Sequence, residues 1–156
     1  FIRSRLGGTR MTIEKLEPKA DNPCFGCGAD NPRGMMLTFE QDHEARKIVG
    51  RFRLGPEYQG SNRVLHGGII AVLLDEAMGK LNRFHSVRAV TAELNVEYLR
   101  PVPIDEEIVV EAQEVSREGR NLMHRGEIRN AAGKVLARGR GRFVVVGQPA
   151  QKSEDR

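Results

Sequence analysis

The stretch VLHGGIIAVLLDEAMGK, residues 64–80, decides how the rest of the chain can fold. From Gly67 onward it holds no proline for some thirteen residues, and its residue types favour a helix. Apolar side chains cover almost the whole circumference of that helix, which predicts that the helix is buried. Asp75 and Glu76 interrupt this apolar surface, and ionised carboxylates are costly to bury unless each has a partner.

Segments that favour strands lie on both sides of the helix. MMLTFEQ (residues 35–41) and KIVGRFRL (residues 47–54) precede it as a hairpin-like pair, and four strand-like segments follow it. Residues 11–34 are polar and rich in Pro and Gly, which predicts loop with room for one short helix. The order predicts an α+β fold in which one long central helix is wrapped by a highly curved antiparallel sheet of about six strands.

The first strand after the helix, AVTAELNVEYL (residues 89–99), alternates between apolar and polar residues. Because successive side chains of a strand point to opposite faces, Tyr98 and the even-numbered apolar residues are expected on one face. Thr91 is then expected on the other face.

The composition predicts one globular domain, which we place at residues 11–147, followed by a polar, disordered tail at residues 148–156. The longest unbroken apolar run, IIAVLL, has six residues. A bilayer-spanning helix needs about 20, so no membrane segment is expected. The N-terminus shows no apolar signal-peptide core, and we therefore expect a cytoplasmic protein.

The net charge of +4 favours a nucleic-acid partner less than it first suggests. Residues 1–10 supply three arginines and no acid, so that without them the net charge falls from +4 by three, to +1. Met11 follows directly, and we interpret residues 1–10 as an upstream extension or a remnant of cloning, outside the fold. No nucleic-acid partner is expected.

The two carboxylates of the helix have different surroundings. Glu76 lies four residues before Lys80, a spacing that favours an ion pair. Asp75 has no such partner and shares its helix face with three small residues: Gly68, Ala71 and Gly79. We expect Asp75 to face a cleft or to have a raised pKa, which makes it a candidate base or nucleophile. The alternative is an Asp75 that accepts hydrogen bonds from loop amides.

Gly67 and Gly68 stand where the helix begins, and the first N–H groups of a helix have no partner within it. Without Cβ atoms in the way, these groups can meet a developing oxyanion directly. His66 either helps as a donor or caps the turn. Asp75 lies about 10 Å further along the helix axis, too far to act on the same carbonyl as the glycines. Two chains related by a twofold axis could pair the Asp75 of one with the glycines of the other.

Cys24 and Cys27 form the only cysteine pair, in the segment CFGC. A structural zinc site needs four ligands, and no second pair of cysteines or histidines is available to complete one. A redox dithiol would need a helix directly after it, whereas GADNPRG is typical of a turn. A plain turn is the favoured interpretation, with a metal site and a redox pair as alternatives.

Four segments together resemble the hotdog-fold acyl-CoA thioesterases of the phenylacetate-degradation (PaaI-like) type. They are CFGCGADNPRG, YQGSNRVL, HGGIIAVLLDEAMG and TAELNVEYLRPVP, and the resemblance runs from about residue 24 to residue 146. It implies a hotdog fold and hydrolysis of an acyl-CoA to a free acid and CoA. It also implies homodimers or dimers of dimers with sites at the dimer interface, and neither a metal nor another cofactor.

The resemblance also implies roles for individual residues. A backbone N–H of Gly67 or Gly68 would polarise the thioester carbonyl, and Asp75 would act as general base or nucleophile. Thr91 would position the attacking water, and His66 would orient the loop or the substrate. Many relatives carry Asn or Gln six residues before the histidine, where this chain has Gly60, and Asn62 is the nearby residue to which we assign that role.

Three arginines alternate with glycines in ARGRGRF and should share one face of the last strand: Arg138, Arg140 and Arg142. They form either a solvated face or a docking site for CoA phosphates, for which we assign Arg138 and Arg140. The opposite face, with Gly139 and Gly141, would let a helix pack closely.

Two other functions fit the same residues. A hydratase or dehydratase of enoyl-thioesters would make His66 indispensable, because the proton beside the carbonyl must move. A non-catalytic acyl-CoA-binding domain would bind without turnover. The short spacing between the glycines and Asp75 favours the thioesterase.

Overall fold

The computed structural model describes residues 12–148, in which one α-helix packs against one antiparallel sheet. The helix α1 spans Gly67–Lys80. Seven strands form the sheet: β1 Ile13–Leu16, β2 Phe39–Asp42, β3 Lys47–Arg53, β4 Arg88–Tyr98, β5 Glu107–Glu118, β6 Asn121–Asn130 and β7 Val135–Gly147. The predicted extension at residues 1–10 and nearly all of the predicted tail lie outside the described residues. None of the helices in residues 12–148 combines the length and apolarity that a bilayer crossing requires.

The sheet is open, with the strand order β1-β2-β3-β5-β6-β7-β4, and every neighbouring pair is antiparallel. The predicted α+β fold with one central helix is therefore confirmed, with seven strands in place of about six. The additional strand is β1, in a segment that the sequence predicted to be loop. It has four largely exposed residues and pairs only with β2, so it lacks the alternation by which a strand is recognised.

Helix α1 is held on the sheet by one strongly buried face, made of Ile70, Leu73, Leu74, Ala77 and Met78. The helix continues into a short 3-10 helix, Leu81–His85, and ends at Ser86, whose backbone is left-handed. The prediction of a buried helix is confirmed for this face only. The opposite face, which carries both carboxylates, is half-buried.

The helix lies close to β7 because that strand presents glycines to it. A Cβ atom at Gly139 would lie 3.2 Å from Leu74 Cδ1 and 3.3 Å from Met78 Cε. Gly126 of β6 meets Leu74 in the same way, with 3.2 Å to Cδ2. The prediction that the glycine face of β7 receives a helix is confirmed.

One titratable group, His124 on β6, lies inside this core with 1% of its surface exposed. Its Nε2 is 2.8 Å from Asn82 Oδ1, and its Nδ1 has no hydrogen-bond partner among residues 12–148. Burial lowers the pKa of His124 from 6.5 to about 4, although Glu114 of the neighbouring strand opposes the shift and His85 adds to it. The histidine is therefore neutral near pH 7 and donates from Nε2 to Asn82.

We expect the free energy of unfolding to fall in acid because of His124. A pKa that is lower in the folded than in the unfolded state stabilises the fold above pH 6.5, and the contribution is lost as pH falls toward 4. At 1.36 kcal/mol per unit, the loss is about 3 kcal/mol. Denaturant unfolding at several pH values measures it. His124→Gln, which keeps a donor for Asn82, should show a shallower slope between pH 6.5 and 4.

His43→Gln is the matched control, since it removes an exposed imidazole, and the difference between the two variants isolates the effect of the buried one. An unchanged slope in His124→Gln would contradict the assignment of this acid sensitivity to the buried imidazole.

Candidate active site

Asp75 on α1 accepts a hydrogen bond from the hydroxyl of Thr91 on β4, with 2.7 Å between Oγ1 and Oδ1. Among the described residues its partner is thus a side-chain hydroxyl and not a loop amide. Burial raises the pKa of Asp75, the Thr91 hydrogen bond opposes this, and the charge of Glu76 adds to it. The second carboxylate oxygen has no hydrogen-bond partner among residues 12–148.

Thr91 reaches Asp75 because β4 is irregular. A register shift between Thr91 and Glu93 breaks the pairing with β7, so Thr91 turns toward the helix, as do Leu94 and Tyr98 further along the strand. The prediction that Thr91 and Tyr98 lie on opposite faces of β4 is therefore wrong. A β-bulge adds one residue and reverses the alternation, and residue types alone do not reveal it.

Asp75 and Thr91 open into a cavity of about 490 Å³. Its apolar wall is formed by Ala89, Val90 and Phe143. Its polar wall includes Cys27, Glu76, Lys80 and Arg83. A carboxylate with a raised pKa beside a cavity of this size is what a site for acid–base or nucleophilic chemistry requires.

At the start of α1 the two glycines have different surroundings. The Gly68 N–H donates to Nδ1 of His66 at 2.9 Å, so the predicted capping role of His66 is confirmed. The Gly67 N–H has no hydrogen-bond partner within residues 12–148. Gly67 is therefore the donor that remains available to an oxyanion at the positive end of the helix.

Tyr98 fixes the Gly67 peptide from the other side, and the sequence did not single it out. Its hydroxyl donates to the Gly67 carbonyl at 2.9 Å. Its ring lies over the glycine, where a Cβ atom on Gly67 would be 3.4 Å from Cε1. The signal in the sequence is an aromatic residue at the end of β4, on the same face as Leu94 and Val96.

Glu76 has the predicted ion pair, with 3.8 Å between its Oε2 and Lys80 Nζ. It also meets the loop around the turn at residues 25–27, because Cys24 Sγ, just before that turn, donates to Glu76 Oε1 at 3.4 Å. Burial, a hydrogen bond to Glu76 and the charge of Glu76 raise the pKa of the Cys27 thiol to about 12, while Lys80 opposes the rise. The predicted turn is confirmed, and it packs on the functional face of α1.

The remaining predicted residues lie outside the cavity. Arg138 and Arg140 stand on the face of β7 that points away from α1, beside a separate hollow of about 290 Å³. Arg138 pairs with Glu127 at 3.4 Å, and Arg140 has no partner among the described residues. Asn62 is exposed in the turn before α1. Gly60 lies against His66, where a Cβ atom would be 3.1 Å from Cα, so this turn has little room for a side chain.

Comparisons with known proteins show which family this chain resembles. Residues 62–137 match the family model of the thioesterase superfamily. Human acyl-coenzyme A thioesterase 13 is 30% identical over 98 residues, which cover 60% of this chain and 69% of that protein. Acyl-coenzyme A thioesterase THEM4 of Bos taurus is 30% identical over 112 residues, 72% of this chain and 46% of that protein. The chain thus spans less than half the length of that relative.

A solved structure of a thioesterase superfamily protein shares the fold. The TM-score is 0.73, the identity is 26%, and the alignment covers 92% of this chain and 74% of that one. The hotdog fold implied by the resemblance is thereby confirmed.

The hydrogen bond from Thr91 can be tested on the free protein. Thr91→Val removes the hydroxyl that lowers the pKa of Asp75, so we expect that pKa to rise further. Thr91→Ser keeps the hydroxyl and should leave the Asp75 pKa near that of the unmodified protein. A carboxyl-carbon NMR titration of Asp75 measures all three. An equal pKa in the Val and Ser variants would contradict the contact.

Proposed function

This chain belongs to the thioesterase superfamily, and we propose that it hydrolyses the thioester bond of an acyl-CoA to a free acid and coenzyme A. The observation that carries the proposal is the contact of Asp75 with Thr91 at the wall of a cavity. The free N–H of Gly67 at the start of the same helix supplies the second element that acyl transfer needs, a donor for the developing oxyanion.

In the general-base route, Asp75 takes a proton from a water molecule while the Thr91 oxygen orients that water. The water oxygen attacks the carbonyl carbon, and the oxyanion is stabilised by the Gly67 N–H. The intermediate then collapses, the carbon–sulfur bond breaks, and the proton held by Asp75 passes to the leaving thiolate. The raised pKa of Asp75 makes it a stronger base than an exposed aspartate.

In the nucleophilic route, the Asp75 carboxylate attacks the carbonyl and expels CoA, and water then opens the resulting anhydride. After a single turnover in ¹⁸O-labelled water, label in the Asp75 carboxylate would identify the nucleophilic route. Label enters the Asp75 carboxylate only when Asp75 has bonded to the acyl carbon and water attacks the aspartyl side of the anhydride.

The two halves of the site would come from two chains. Asp75 and Gly67 are about 12 Å apart along α1, so one chain cannot place both on one carbonyl. Strand β4 lies at the edge of the sheet, and it leaves Val90 and Tyr98 51% and 55% exposed. An edge strand with exposed apolar residues invites pairing with another chain. A twofold dimer along β4, and a pair of such dimers, would bury these residues and join the two halves.

His66 and the two arginines have supporting roles in this proposal. With Nδ1 accepting from Gly68, a neutral His66 carries its proton on Nε2, which can donate to the substrate and orient it. Arg138 and Arg140 face away from α1, so they would bind the phosphates of CoA outside the cavity. Asn62 would approach the carbonyl only if the turn that holds it shifts.

Loss of Asp75 should abolish the reaction. We expect Asp75→Asn to lower kcat for thiol release by about 10²–10⁴-fold, the usual contribution of a general base. A panel of alkyl- and aryl-CoA thioesters, assayed for free thiol, measures it. In the unmodified protein kcat/KM should fall in acid, at a pH above the ordinary aspartate range, because the pKa of Asp75 is raised.

Glu40→Gln is the control, since Glu40 is an exposed carboxylate of β2, 4.0 Å from Arg51 and near the opposite edge of the sheet from β4. Full activity of Asp75→Asn would refute the assignment. Hydration of an enoyl-CoA without thiol release would favour the hydratase, and tight binding without turnover would favour a binding domain.

The Gly67 N–H can be deleted with little disturbance. Proline is tolerated at the first position of a helix, and His66 before it has φ −59° and ψ 137°, which a following proline allows. Gly67→Pro should lower kcat by about 10²–10³-fold, as loss of an oxyanion donor does. Gly67→Ala, which adds a Cβ atom and keeps the N–H, is the matched control.

Mixing the two inactive variants tests whether the site is shared. If Asp75 of one chain works with Gly67 of the other, a mixed dimer of Asp75→Asn and Gly67→Pro has one intact site. Random exchange makes half of the dimers mixed, and each mixed dimer has one intact site out of two. The mixture should therefore regain roughly a quarter of the activity of the unmodified protein. A mixture as inactive as its components would show that each chain uses its own residues.

A further inference from the structure

Two thiols and one carboxylate converge beside the cavity. One ligand atom each from Cys24, Cys27 and Glu76 lies within 4.8 Å of the others, and the group is partly buried. The closest measured pair, Cys24 Sγ and Glu76 Oε1, is 3.4 Å apart. The cysteines come from the loop before β2 and the carboxylate from the middle of α1, 52 residues after Cys24.

The loop is shaped so that Glu76 can reach both thiols. A Cβ atom at Gly26 would lie 2.5 Å from the Glu76 carboxyl carbon, so glycine at this position leaves room for the carboxylate beside the thiols. A Cβ atom at Gly28 would lie 2.0 Å from the Asn22 carbonyl oxygen. The sequence Cys-Phe-Gly-Cys-Gly therefore places glycine at the two positions where the chain must approach its surroundings most closely.

We propose that Cys24, Cys27 and Glu76 bind a thiophilic divalent cation of the Zn²⁺ class. Thiolate and carboxylate are both zinc ligands, with bonds of about 2.3 Å to sulfur and about 2.0 Å to oxygen. Ligand atoms on a tetrahedral ion are then somewhat under 4 Å apart, so the observed cluster needs only a small contraction. Water would take the fourth position, and Cys27 lines two open cavities through which the ion can enter.

The surroundings of the cluster suit a bound ion. The Asn22 side chain holds the loop, with Oδ1 accepting from the Cys24 N–H at 3.0 Å and Nδ2 at 3.9 Å from Cys27 Sγ. Lys80 stays beside the outer oxygen of Glu76. Binding would release both thiol protons. Two thiolates and one carboxylate then carry three negative charges, which the divalent ion and the Lys80 ammonium balance.

The sequence did not predict this site, because the third ligand, Glu76, is 52 residues from Cys24 and is not part of the cysteine motif. A two-cysteine motif alone lacks ligands, and Glu76 was assigned to Lys80. The fold adds Glu76 to the pair without breaking that ion contact. A bound ion would fasten the loop to α1 at the residue next to Asp75, so its role would be to position the helix.

Cobalt titration of the full-length reduced protein, stripped of metal with a chelator, tests the proposal. We expect a thiolate-to-cobalt charge-transfer band that saturates at one Co²⁺ per chain and is removed by Zn²⁺. Cys24→Ser and Cys27→Ser should each lose most of the band. Glu76→Gln should keep a weaker band and bind at least about tenfold less tightly, as weakened metal sites do. Glu40→Gln, the exposed carboxylate control, should bind like the unmodified protein.

A second measurement on the unmodified protein does not depend on whether the variants fold. Zn²⁺ binding in weak buffer should release about two protons per ion as the thiols ionise. Absence of both the cobalt band and the proton release would overturn the proposal. Rapid loss of two free thiols to a disulfide, without metal uptake, would also overturn it and favour a redox pair. Neither readout uses thioesterase activity, so the outcome is independent of the proposed reaction.

Discussion

The close packing of α1 on β6 and β7 is the constraint on which the rest of the structure depends. Gly126 and Gly139 let Leu74 and Met78 approach the strands to a distance that a larger residue would prevent. Because this contact fixes the rotation of the helix, it also fixes where the opposite face points. Asp75, Glu76 and the small residues near them are presented away from the core by the same packing that buries the apolar face.

The structural features that lie within a single helix or strand could be predicted from the spacing of residues in the sequence. The helix, the pairing of Glu76 with Lys80 and the glycine face of β7 follow from periods of 3.6 and 2. What was missed depends on how elements meet. Strand β1 is held by its pairing with β2, and the bulge at Thr91 is a property of the register with β7. Thr91 and Tyr98 both face α1 only because that bulge reverses the alternation between them.

The sequence identified residues of the candidate site, but it did not predict the contacts that they make. Asp75 was identified because it lacked a partner along its own helix, and the partner it has in the fold comes from another strand. The two glycines could not be told apart in the sequence. The fold separates them, because the His66 ring occupies the Gly68 N–H and leaves that of Gly67. Contacts between different helices, strands and turns cannot be predicted from the periodic pattern of one segment.

The adjacent carboxylates show why neighbouring residues of one helix can have separate tasks. They differ by about 100° around the axis, so Asp75 meets a hydroxyl of β4 while Glu76 meets the thiols of the loop before β2. Since they share a backbone, whatever holds Glu76 also limits the movement of Asp75. If Asp75 acts on a water molecule as proposed, it gains from such an anchor, because small displacements at a reacting centre cost much of the rate.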